Sequence, residues 1–128
     1  MLLIMNKTTF DKNIKASELV DFKAEMASNL KFSRENLHHF CSPLFVEAMK
    51  VLFDKNITTL SCGSGKERGI LPGITGDFNA LSDENKVIAK DMMISNSEFR
   101  LDVKILDTTT FAEFEDELLG IAERFKAQ

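Results

Sequence analysis

The sequence predicts an α+β fold: a two-layer α/β sandwich in which a small, mostly antiparallel sheet of three or four strands is covered on one face by helices. Three observations predict it. Phe99, Leu101, Val103 and Ile105 alternate with Arg100, Asp102 and Lys104, the period-2 signature of a strand with one buried and one wet face. Apolar residues spaced three and four apart recur before residue 55 and after residue 110, so helices flank the strand-rich middle. Between them, Ser61 to Asp77 holds all but one of the six glycines and one of the two prolines, which marks the turns of a small sheet.

Taken in order, residues 1–15 read as an extended or partly disordered lead-in, with Met1 to Met5 as a short first strand or a disordered start. Ser17 can cap a helix that places Leu19, Phe22, Met26 and Leu30 on one face. Ser33 opens a shorter helix, Arg34 to about Cys41, that turns Leu37, Phe40 and Cys41 inward. Ser42 and Pro43 suit the N-cap and first position of a third helix, because proline's fixed φ fits there and its missing N–H is not needed. That helix, Leu44 to Phe53, is apolar almost all round and is expected at the centre.

Ile57 to Cys62 is β-branched enough for a strand, and simple alternation puts Leu60 and Cys62 on one face. Gly69 to Leu71 with Ile74 and Thr75 predicts a second, interrupted strand, joined to the first as a hairpin around Gly63 to Gly69. Leu81 to Asn85 starts a helix with two acids in its first turn, whose inner face is Val87, Ile88 and Met92. After the alternating strand, Thr110 and Glu113 match a capping box, and Phe111, Phe114, Leu118, Ala122 and Phe125 stripe the last helix.

At 128 residues the chain reads as a single globular domain, 1–128, large enough to build a core without metal or disulfide staples. A net charge of −4, with the acidic excess in the second half, offers no basic stripe, so duplex nucleic acid is not expected as a partner. The apolar start is too short for a signal peptide or a spanning helix, so no membrane association is expected. Cys41 and Cys62 read as separate free thiols, which points to a reducing, cytoplasmic setting. All eleven aromatic residues are phenylalanines, best placed in the core.

The candidate chemistry sits in the glycine-rich stretch 62–77. Gly63, Ser64, Gly65, Lys66 and Arg68 suggest a ligand-binding loop, since amides freed by glycine can cradle an anion that the cations neutralise. The spacing matches neither a Walker A loop, which would want glycine at Leu60 and a hydroxyl at Glu67, nor the dinucleotide-binding loop. Cys62 beside Lys66 and Arg68 is a candidate nucleophile, with His39 or its neighbour His38 as base; adjacent on a helix, the two imidazoles point about 100° apart. Two cysteines and two histidines spread over separate elements lack metal-ligand spacing, so no metal or cofactor is expected. Glu113, Glu115, Asp116 and Glu117 read as a solvated helix face.

Thr59 to Lys66 locally resembles the Ser-Cys-Ser-Gly-Arg stretch of the wybutosine-synthesis tRNA methyltransferase family, over a few residues and with one insertion, and no function is carried over from it. The function expected is a small soluble binding or interaction domain whose loop 62–77 takes a small anionic ligand or a protein partner, with homo-oligomers possible. The competing expectation is an enzyme using Cys62, with His38 or His39 as base and loop amides as an oxyanion site.

Overall fold

In the computed structural model, which describes residues 11–22 and 31–128, the chain runs through five helices and three strands. In order they are α1 (Ala16–Leu19), α2 (Leu37–Phe40), α3 (Pro43–Asp54), β1 (Thr59–Gly63), β2 (Gly73–Asp77), α4 (Asp83–Ala89), β3 (Glu98–Asp102) and α5 (Phe111–Glu123). The strands form an antiparallel meander, β1-β2-β3, and α3 and α5 pack on each other and on one face of it. The α+β expectation therefore holds. Met1 to Met5, Met26 and Leu30 lie outside the described residues. Asp11 to Lys15, expected as a loose lead-in, makes a turn and a bridge: Ala16 N–H donates to Thr109 O at 2.8 Å and Phe111 N–H to Ile14 O at 2.7 Å.

The central helix forms where its start signal lies. Ser42 Oγ accepts from Leu44 N–H at 3.2 Å and donates to Leu19 O at 2.5 Å, so one hydroxyl caps α3 and ties it to α1. Leu44, Phe45, Val46, Ala48, Met49 and Leu52 are buried along it. It stops in a Schellman arrangement: Asn56 takes φ 61°, its N–H reaches Phe53 O, and Ile57 N–H reaches Leu52 O. Ile57 and Leu52 are both buried, the apolar contact that usually accompanies this stop. Lys55 Nζ crosses to the carbonyls of Glu123 and Phe125 at 3.2 and 2.6 Å, a cation at the negative end of α5. The capping box of α5 is present, and Phe111, Phe114, Leu118, Ala122 and Phe125 face the core.

Several local readings change. Ser17 lies inside α1, whose N-cap is Lys15. The second strand begins at Gly73, because Gly69 to Leu71 belongs to the connection, and the third ends at Asp102 short of Ile105. A bulge between Thr59 and Ser61 breaks the alternation, leaving Leu60 52% exposed while Cys62 pairs with Ile74 on the helix-facing side. In α4 Asn85 and Ala89 are the buried positions; of the expected inner residues Ile88 and Met92 pack partly buried against the core, while Val87 is 75% exposed. Asn85 points inward because both of its amide hydrogens and its oxygen find partners there: Nδ2 donates to Lys126 O and Gln128 Oε1, each at 2.8 Å, and Oδ1 accepts from Lys126 N–H at 2.7 Å. Replacing Asn85 with leucine is expected to cost about 2–3 kcal/mol, since it leaves the Lys126 groups unpaired, and a urea melt measures that loss.

Candidate functional site

The row Ser61, Thr75, Arg100 crosses the sheet on the face away from the helices, set by the pairings Ser61 with Thr75 and Thr75 with Arg100. Arg100 therefore starts on β3 and extends toward β1. Its Nε donates to Leu71 O at 3.0 Å, Nη1 to Thr75 Oγ1 at 2.6 Å and Nη2 to Gly63 O at 3.0 Å. The guanidinium thus clasps both ends of the connection between β1 and β2. Arg100 is only 5% exposed, and none of the ion pairs among the described residues involves it. Burial lowers its pKa from the ordinary value; Asp102 opposes that shift and Arg68 adds to it. The Asp102 carboxyl is raised by burial, against the pull of Arg100. An arginine remains charged at neutral pH even so, which leaves a buried cation held by neutral acceptors, with one N–H on each terminal nitrogen outside these bonds.

Arg100 forms part of the wall of a cavity of about 350 Å³. Three further groups of residues complete the wall: Val20 to Phe22 after α1, then Phe40, Ser42 and Phe45 from the end of α2 to the start of α3, and Ser61 to Arg68. One side is apolar, with Phe22, Phe40 and Phe45, and the other carries Lys66, Arg68 and the Ser61 and Ser64 hydroxyls, with Asp21 and Glu67 among the lining. Lys66 Nζ meets Asp21 Oδ2 at 2.8 Å and Arg68 Nη2 meets Glu98 Oε1 at 3.2 Å, both solvent-exposed pairs of small energetic weight.

The loop itself is more closed than its glycines suggest. Arg68 and Ile70 N–H both donate to Gly65 O, and Gly69 N–H donates to Lys66 O, around a 3₁₀ turn at Lys66–Arg68. Gly65 needs to be glycine: its φ is +72°, and a Cβ there would sit 2.6 Å from Ile70 O. Of the stretch 62–77, then, Cys62 to Arg68 lines the cavity, while Gly73 to Gly76 is buried in the central strand. Gly63, Ser64, Gly65, Lys66 and Arg68 are brought together with Arg100 on one wall.

The cysteines differ from expectation. Cys41 and Cys62 form a disulfide, their Cα atoms 6.3 Å apart, and no free cysteine is present among the described residues. Alternation broken at Leu60 turns Cys62 toward the helices, where the start of α3 presents Cys41. In this form Cys62 carries no thiol for a base to activate, and the inference from two free thiols to a reducing compartment loses its premise. The His38 and His39 rings, expected to point apart, lie against each other at 4.1 Å between centroids with a tilt of 41°, and neither lines the cavity. His39 Nδ1 is buried without a hydrogen-bond partner.

Arg100 is the site residue that sequence reasoning missed. In an alternating strand it reads as one more solvent-facing charge; only the register opposite Thr75 and the carbonyls of Gly63 and Leu71 bury it. Among the described residues no group of three or more His, Cys, Asp or Glu side chains could hold a metal ion, and no helix is long and apolar enough to cross a membrane. No family model, no curated protein and no solved structure matches the chain, so the case for function stands on this geometry.

Proposed function

We propose that the chain is a binding domain for a small anion bearing an apolar portion, seated in the cavity between the Cys62 to Arg68 loop and the start of α3. The observation that carries the reading is Arg100: a buried guanidinium, satisfied only by neutral oxygens, in the wall of a cavity that Lys66 and Arg68 also line. A carboxylate or phosphate reaching the spare N–H groups would make charge-assisted hydrogen bonds in a partly dehydrated place, where they are strongest. Phe22, Phe40 and Phe45 supply the apolar end of the same cavity. A few convergent polar groups against an apolar wall support the reading of a ligand site.

The test is thermal melting of the full chain with inorganic phosphate, acetate, benzoate and a panel of nucleotides, repeated for the Lys66→Ala/Arg68→Ala double variant. Both side chains are mostly exposed, so the variant keeps its fold. A ligand present at about 100 times its Kd adds about 2.7 kcal/mol, a rise of several degrees in Tm. That rise is expected for at least one anion, largest for those with an apolar group, and is expected to shrink in the double variant. No shift with any member of the panel, or an equal shift in both proteins, overturns the reading.

A further inference from the structure

We propose that the Cys41–Cys62 disulfide is a redox latch on this cavity: oxidised, it holds the two walls in register; reduced, it releases the glycine-bearing wall. The inference rests on the anion-site reading for what the latch controls, and on the disulfide's placement for the latch itself. Cys62 is the penultimate residue of edge strand β1 and leads straight into Gly63, whose carbonyl accepts from Arg100. Cys41 immediately precedes Ser42, which caps α3 and bonds to Leu19 O. Phe40, Ser42 and Phe45 line one side of the cavity and Ser61 to Arg68 the other. The disulfide is therefore the covalent tie between the two walls.

Among the described residues, the polar ties across the cavity are weak or lie on one side of it, and the packing of α3 on β1 is the main non-covalent contact between the walls. Lys66–Asp21 is an exposed pair, with side chains 70% and 60% accessible, and contributes little. The Arg100 bonds and the β1–β2 ladder hold the loop to the sheet, not to α3. The fold as a whole does not depend on the latch, because α3 and α5 bury their phenylalanine and leucine faces against each other and against Ile74, Phe99 and Leu101 of the sheet. Reduction is thus a local release.

The chemistry requires a dithiol reductant. Its thiolate attacks Cys62 Sγ, the sulfur of the half-buried residue in the cavity wall, while Cys41, 3% exposed, departs as the thiolate and takes a proton from water. The reductant's second thiolate then displaces Cys62 from the mixed disulfide. Two electrons and two protons reach the protein, and the reductant ends as a disulfide. The same steps in reverse, with a disulfide oxidant, close the latch.

The test uses the full chain, oxidised, dithiol-reduced, and as the Cys41→Ala/Cys62→Ala variant. Alkylation with and without reductant is followed by mass spectrometry, amide hydrogen exchange is followed by segment, and inorganic phosphate and benzoate are titrated into each form. Expected are protection of both cysteines from alkylation until reduction, exchange of residues 61–71 faster by roughly tenfold on reduction with α3 and α5 unchanged, and anion affinity weaker by roughly tenfold in the reduced and variant proteins. Alkylation of both cysteines without reductant, or equal exchange of 61–71 in the two states, overturns the latch. Equal anion affinity in the two states overturns its control of the site. A loop that responds to reduction while neither anion binds in any form upholds the latch and removes the anion reading, so the two claims fail separately.

Discussion

Gly73→Ala is expected to cost about 3–5 kcal/mol, a large part of the total stability of a domain this size. Gly73 opens the central strand and pairs with Gly63 on one side and Asp102 on the other. A Cβ there would overlap the Leu101 carbonyl oxygen and sit 2.8 Å from Asp102 Cα. Those neighbours are main chain in a ladder, so no side-chain rotation relieves the clash and the pairing of β2 with β3 must give. Urea unfolding of the variant is expected to show a midpoint far below that of the parent chain; an unfolding free energy within about 0.5 kcal/mol of the parent's would mean the strands sit farther apart than described. Gly120→Ala is the control, because it lies on α5 with open space where its Cβ would go and is expected to be neutral or mildly stabilising.

Arg100→Met is expected to lose about 3 kcal/mol of stability and all anion binding. Methionine approximates the stem but donates nothing, so Thr75 Oγ1, Leu71 O and Gly63 O lose their partner together. Arg100→Lys separates charge from geometry. Its ammonium keeps the positive charge but cannot fork across the carbonyls at the two ends of the β1–β2 connection, so intermediate stability and weakened binding are expected. If both variants unfold like the parent, Arg100 does not clasp the hairpin, and the cavity loses its organising cation.

Much of the framework was legible because its signals are local. The Ser42-Pro43 start, the Thr110 to Glu113 capping box and the phenylalanine stripe of α5 each depend on residues within a turn or two of one another, and each appears where its pattern lies. The glycine-rich stretch was legible as a hairpin for the same reason. What escaped were features made by pairing distant segments. The bulge at Leu60 inverts the expected face of the residues before it, Asn85 turns inward because Lys126 and Gln128 arrive from the far end of the chain, and the disulfide joins residues from two different elements. Arg100 is the clearest case. Its neighbours in sequence make it look solvated, and its neighbours across the sheet bury it.

The site followed the same division. Gly63, Ser64, Gly65, Lys66 and Arg68 stand out by composition, yet the amides of Arg68, Gly69 and Ile70 close the loop on itself, and a further group for an anion comes from a strand thirty-odd residues later. Glycine in this loop works chiefly by permitting the tight turn at Gly65, which brings Lys66 and Arg68 to the wall that Arg100 completes. In the sequence Phe40 and Phe45 read only as core, although Phe40 is half-buried and lines the cavity.

The central claim is that the Arg100 guanidinium receives an anion from the cavity. The direct measurement is a nitrogen-edited NMR titration of the oxidised full chain, following the Arg100 Nε–H signal as benzoate and inorganic phosphate are added. A saturable shift of that signal, accompanied by the amides of residues 61–68 and reached only at higher anion concentrations in Lys66→Ala/Arg68→Ala, is the result expected. An Arg100 signal that stays fixed while anions move only the exposed Lys66 and Arg68 would contradict the account.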